Sequence, residues 1–404
     1  MRSATAPWLA GLVLACASLP AAAAPPIRTL SEQEVWDLMA GAAIDGTRGR
    51  VKPVAPFIEG AVRKLLAEGK PFRLIALEDV PDDWTLAEAG GRIGGGGAWT
   101  HVAERMKQQG TPVVPATDGM RLAMEALERQ TGHRLDAVVR AEAAEATAAA
   151  FQAAMAAGLP VVDACPTGRA VPELAQSVAY VNGVTATPAA LVSLWGDVVL
   201  VEKAIDAARL EDIGRSMAVG SAGSVITAST VMAGRDAKRA LIPGVLSREI
   251  LMGRSVREAC ARGADPVAAL LGVTHGLYLF RGNVTRAVNR EDRGFDWWDV
   301  EIQGSGTFQG HRYRLWVKNE NIVGWFDDRP DAMSPDLIAP LDPATGEAML
   351  SPKLGGYDPG ADVVLVGFPA HAMWRTPAAI ALLGPRHFGF DYVPLEQLHA
   401  NRPR

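Results

Sequence analysis

The chain has 404 residues, 49% hydrophobic and 21% charged, with a formal net charge of −5 and three cysteines, Cys16, Cys165 and Cys260. That composition excludes wholesale disorder, and three cysteines are too few for a disulfide-stapled scaffold or a multi-cysteine metal framework. The basic residues are scattered and outnumbered, 40 against 45 acidic, so nothing draws the chain to nucleic acid.

Arg2, the apolar stretch Trp8 to Leu19 and the run Ala21 to Ala24 have the three parts of a secretory signal peptide, with cleavage after Ala23. Export to the periplasm or the medium is the leading expectation. Val13-Leu-Ala-Cys16 is an imperfect lipobox, so a lipid anchor at Cys16 is the alternative. From Ser31 the text alternates helix and strand. Ser31-x-x-Glu34 is a capping box, and Phe57 to Glu68 has helical periodicity. Phe72 to Leu77 reads as a strand, Met120 to Gln130 as a helix, Asp136 to Val139 as a strand, Glu145 to Ala157 as an Ala-rich helix and Leu159 to Asp163 as a strand. The last three form a β-α-β unit of a parallel sheet. Gly94 to Gly97 lacks the Lys-Ser/Thr ending of a phosphate loop and reads as a tight turn. Leu174 to Gly196 and Ser216 to Gly234 are long and uncharged or nearly so, but Gly, Pro, Thr and Ser make them buried loops and strands rather than membrane spans. After the helical block Ser247 to Arg262, strands dominate: Gly276 to Val284, Trp298 to Ile302, Tyr313 to Val317, Asn321 to Phe326 and Val363 to Gly367. The expected fold is α/β: residues 29–190 form an N-terminal domain with a largely parallel sheet, and residues 191–404 a β-rich mixed C-terminal domain.

Ligands of parallel sheets collect at the carboxyl ends of strands. Directly after one such strand stands Asp163-Ala-Cys165-Pro-Thr-Gly168-Arg169-Ala-Val-Pro172-Glu173. Asp163 and Cys165 can converge on one ion, Glu173 can sit inside a helix opened by Pro172, and Arg169 can hold an anionic group. The competing reading is a turn-forming Asp163, an inert Cys165 and an Arg169–Glu173 ion pair. His371 follows the other buried strand, and the two strand ends together favour a metal or acid–base site.

Several of these segments form a pattern. Leu159-Pro-Val-Val-Asp163 with Gly168-Arg169-Ala-Val-Pro-Glu173, Ile242-Pro-Gly-Val-Leu-Ser247, Lys318-Asn-Glu-Asn321, Pro335-Asp336-Leu-Ile with Leu341 to Glu347, Pro369-Ala-His371 with Trp374-Arg375-Thr-Pro377, and Gly384-Pro-Arg386 with Phe388-Gly-Phe-Asp391 resemble the S-methyl-thiohydantoin desulfurase family. The resemblance implies two domains and hydrolysis of a sulfur-bearing five-membered ring with the help of a divalent metal, zinc by preference. It also implies a possible hydantoinase-like partner. On that footing Asp163, Cys165 and His371 are the expected metal ligands, with Asp391 orienting His371. Glu173 is the expected base or fourth ligand, and Arg169 and Arg386 clamp substrate charge. The chain departs from the pattern at Cys165, where a second Asp is expected, and at Glu142-Ala-Ala-Glu145, where Glu is followed by paired glycines. Three functions compete: a metal-assisted hydrolase of a cyclic ureide or thioureide, an exported small-molecule binding protein, and a partner subunit of a hydantoinase-like enzyme. Cys165 and Cys260 are expected to be unpaired.

Overall fold

The computed structural model describes residues 25–46, 56–94, 98–292, 295–349 and 357–400. The leader, Cys16 and Gly95 to Gly97 lie outside the described residues.

Nine strands build the first sheet: β1 (Ile27–Thr29), β2 (Arg73–Ala76), β3 (Thr85–Gly94), β4 (Ala137–Val139), β5 (Val161–Cys165), β6 (Ala189–Val192), β7 (Val198–Val201), β8 (Ser224–Ala233) and β9 (Ile242–Pro243). They lie in the order β1-β2-β5-β4-β3-β8-β6-β7, with β9 hydrogen-bonded to β5 off that path. The four strands β2, β5, β4 and β3 are parallel, and antiparallel β8, β6 and β7 extend the sheet beyond them. The expected β-α-β unit is present as β4, the helix Glu145–Ala157 and β5. Val138, Val139, Val161 and Val162 are fully buried, as strands covered on both faces require.

Seven antiparallel strands make the second sheet: β10 (Leu277–Asp292), β11 (Phe295–Gly304), β12 (Arg312–Lys318), β13 (Glu320–Phe326), β14 (Arg329–Met333), β15 (Leu337–Leu341) and β16 (Asp362–Phe368). Their order is β14-β13-β12-β11-β10-β16-β15. The sheet curls until Asn321 on β13 donates to the Ile338 carbonyl on β15, at 2.9 Å.

The first sheet runs on through β6, β7 and β8, so the second sheet begins only near residue 276. The stretches Leu174 to Gly196 and Ser216 to Gly234 fold into it as a short helix, β6, a helix end and β8. Among the described residues no helix is long and apolar enough to cross a membrane.

Helices Glu32–Asp45 and Val245–Ala261 pack side by side between the sheets. A Cβ on Gly41 would meet the Glu249 carbonyl at 1.9 Å, and one on Gly253 the Asp37 carbonyl at 2.0 Å, so only glycine permits this approach. Ala43 and Ile44 of the first helix and Met252 and Val256 of the second share a core with Leu337, Val364 and Phe368 of the second sheet. After β16 the chain returns to the first domain, where Trp374, Ala379 and Leu383 join the largest core.

Candidate functional site

A cavity of about 770 Å³ lies beyond the carboxyl ends of β4 and β5 and along β3 and β8. Asp296, Trp298 and Asn319 of the second sheet close it from the other domain. This is where a parallel sheet places ligands. Gly90, at φ 83°, forms its wall where β3 bulges against β8, and a Cβ there would lie 2.6 Å from the Ala149 backbone. Ala144, packed against Gly46, has φ 62° and ψ −127°, a conformation suited to glycine. Its neighbours Glu142 and Glu145 line the cavity.

Glu173 also lines the cavity. Pro172 opens no helix; Glu173 lies in a loop that precedes the short helix Val178–Val181. Lys318 at the end of β12 pairs with its carboxylate, and His387 Nε2 is 3.2 Å from both oxygens. Burial pushes the Glu173 carboxyl up, but hydrogen bonds from His387 and Lys318 outweigh it and hold it down to about 2. At neutral pH this group is an anion and not a proton carrier. The Lys318 ammonium lies 4.1 Å from the centre of the Phe295 ring, and the Arg215 guanidinium lies 4.2 Å from the same centre. Arg215 in turn holds Glu211, which accepts from the Leu174 amide at 2.9 Å. The two domains are thus joined around the cavity rim by paired charges on one aromatic ring. Because the folded carboxyl lies below its ordinary 4.5, the stability that this pair supplies is present above pH 4.5 and lost as pH falls towards 2. Lys318→Met should flatten that acid limb in melting temperature measured against pH.

The remaining expected site residues are engaged elsewhere. Asp163 Oδ1 accepts from the Leu246 and Ser247 amides at 2.8 and 3.1 Å, and Oδ2 accepts from the Ser247 hydroxyl. The carboxylate caps the helix Val245–Ala261, where Gly244 at the N-cap has no side chain to do so. Asp163→Ala should cost about 1–2 kcal/mol in urea unfolding. Cys165 is fully buried, 3.3 Å from the Thr167 hydroxyl, and in contact with Arg140. It and Cys260 are both free thiols. Arg169 is buried, and its Nη1 donates to the Pro335 and Asp336 carbonyls at 2.9 and 3.2 Å. It ties the loop after β5 to the start of β15 in place of pairing with Glu173.

His371 is exposed, its Nδ1 accepting from the Met373 amide at 3.3 Å. Burial of part of the ring and the Arg248 charge lower its pKa. Asp391 pairs with Arg386 on the surface and not with His371. Among the described residues no three His, Cys, Asp or Glu side chains gather as a metal-ligand set. With Asp163 capping a helix and Cys165 enclosed beside a guanidinium, the residues present do not fit a zinc ion at this strand end.

Two residues that matter were not singled out from sequence. Lys318 was read only as part of a motif, since its partner lies 145 positions away. Glu88 lines the cavity from the middle of β3, 7% exposed. The available signal was one carboxylate inside Leu86-Ala-Glu-Ala89, an otherwise apolar strand.

The quoted motifs meet one another in the fold. Asp163 meets Ser247, Arg169 meets Pro335 and Asp336, and Glu173 meets Lys318. Trp374 Nε1 donates to the Thr167 carbonyl at 2.7 Å, and Asp336 accepts from the Ala370 and Leu395 amides at 2.7 and 2.9 Å.

Fold and cavity define a two-domain α/β protein with a crevice between its sheets. Residues 33–203 match the S-Me-THD-like N-terminal domain and residues 205–395 the S-Me-THD-like C-terminal domain. The chain belongs to this family, that of the S-methyl-thiohydantoin desulfurases. A crystal structure of a protein from Chromobacterium violaceum superposes with a TM-score of 0.70 at 21% identity, covering 91% of this chain and 100% of that one. At that identity the likeness establishes the fold alone. No protein with a curated description matches the chain.

Proposed function

We propose that the chain hydrolyses a sulfur-substituted five-membered ureide ring, of the S-methyl-thiohydantoin type, in the cavity between its two sheets. The observation that carries this reading is the cavity of about 770 Å³ beyond the ends of β4 and β5, walled by carboxylates and hydroxyls and closed by Trp298, in a chain of the S-Me-THD-like family.

The chemistry consumes one water. Its oxygen forms a bond to the ring carbon that bears sulfur, the carbon–sulfur bond breaks, and a carbonyl replaces it. One proton of the water ends on the ring nitrogen and the other on the departing thiol. Glu173, held as an anion, accepts a hydrogen bond from a ring N–H and orients the ring. The closed crevice limits competing water and strengthens each polar contact.

The test is thiol release from S-methyl-thiohydantoin by the purified chain, followed with a colorimetric thiol reagent. Release with stoichiometric hydantoin formation, inhibited competitively by added hydantoin, is expected. No release above buffer, with hydantoin still bound, would replace hydrolysis by the binding-protein reading.

A further inference from the structure

Of the acids in the cavity wall that the proposed reaction leaves unused, Glu88 is deeply buried, 7% exposed, and sits within a strand of the sheet. It projects from β3 opposite Ser229 of β8. Among the described residues its Oε1 is buried without a hydrogen-bond partner, while the carboxyl accepts a hydrogen bond from Thr230. Thr230 is itself fully buried at φ 55°, a left-handed conformation that a β-branched residue adopts only when its surroundings impose it. Its hydroxyl lies 3.2 Å from the Tyr180 hydroxyl and 3.3 Å from that of Ser229. The strained strand therefore holds the Glu88 side chain in the cavity wall, its carboxyl bonded to Thr230 through one oxygen and unpartnered at the other.

The geometry points to Glu88 as the residue that grips the ligand from the cavity wall and passes it a proton, and to a ligand that presents an exocyclic sulfur or oxygen to that carboxyl. Burial supports the assignment by pushing the Glu88 carboxyl up to about 8, against the Thr230 hydrogen bond, so that the acid form is present at neutral pH. Such a carboxyl donates one hydrogen bond to an acceptor on the ligand. The inference rests on the hydrolytic reading above and assigns its proton. Glu88 gives its proton to the departing sulfur as the carbon–sulfur bond breaks. It regains one from the water whose oxygen has joined the ring carbon, and ends neutral, so that the turnover balances.

The experiment compares the wild-type chain and Glu88→Gln on two substrates, S-methyl-thiohydantoin and its S-(4-nitrophenyl) analogue. The aryl thiol is acidic and departs without a proton. With the S-methyl compound the substitution should lower kcat by about 100-fold or more and leave KM within a few-fold. With the S-aryl compound it should restore kcat to within about fivefold of wild type. A merely structural role predicts equal losses on both, and that result overturns the assignment, as does wild-type turnover by Glu88→Gln on the S-methyl compound. Should Glu88→Gln fail to fold, Glu88→Asp, which withdraws the acid by one methylene, takes its place with the same expected pattern. If the wild-type chain releases thiol from neither compound, hydrolysis itself has failed. The Glu88 contact is then read from hydantoin affinity alone: a tenfold or greater loss in Glu88→Ala retains it, and unchanged affinity removes it.

Discussion

Glu249→Ala should destabilise the protein by about 3–5 kcal/mol, read as a lower urea midpoint at unchanged slope. Arg140, at the end of β4, is fully buried and donates to both Glu249 carboxylate oxygens at 2.6 and 2.7 Å, and to Thr147 at 2.7 Å. Burial pushes the Glu249 carboxyl up and the guanidinium pulls it back; the two-point geometry is that of an ion pair. Removing one partner leaves the other charge buried without its two-point partner, which is the costly half of such an exchange. Replacing both by Met should recover most of the loss, since a buried pair exchanged for packed apolar volume is close to neutral. A double-mutant cycle that finds the two single losses additive would show that the pair is not coupled. Glu249 supplies the Arg140 countercharge, and Cys165 packs beside that guanidinium.

Trp374→Ala should cost a comparable amount, about 3–5 kcal/mol. The ring is 1% exposed within the largest core and hydrogen-bonded to the Thr167 carbonyl. Thr167 lines the cavity, so turnover should fall beyond what the loss of folded protein explains. Trp374→Phe separates the two effects: it keeps much of the packing and strands one carbonyl, at about 1–3 kcal/mol. Melting temperature and thiol release measured on the same samples check both.

The elements that were legible in sequence are those with strong local period. The capping box at Ser31 forms with both of its reciprocal hydrogen bonds, the Ala-rich helix spans Glu145–Ala157 as expected, and the valine runs became β4 and β5. The strand holding Asp163 was also within reach, although it runs on two residues further, from Val161 to Cys165, so that Asp163 is its middle residue. The direction of its carboxylate was not, because the helix it caps begins 82 residues later in the chain, at Val245. Pro172 suggested a helix that tertiary contacts cancel, since the Glu173 amide is taken by the Gln176 side chain at 3.0 Å and its carboxylate by Lys318. The family's two domain regions meet between residues 203 and 205, close to Leu191, whereas the sheets divide near residue 276. β6 and β8 carry a strand pattern that is the same whether they join their own sheet or extend an earlier one, and only the pairing of Glu88 with Ser229 and of Ala190 with Ala228 decides it.

That pairing bears on how the chain can be assembled. β8 lies between β3 and β6, yet the two family regions meet between residues 203 and 205, on the near side of β8. A fragment ending there would leave two inner strands without the neighbour that joins them, and Trp374 would be missing from their core. During synthesis the first sheet therefore cannot close until residue 233 has emerged, and its core waits for residues beyond 370, so the nascent chain carries unpaired strand edges for most of its length. Either half expressed alone should aggregate, and the two should gain solubility only when produced together.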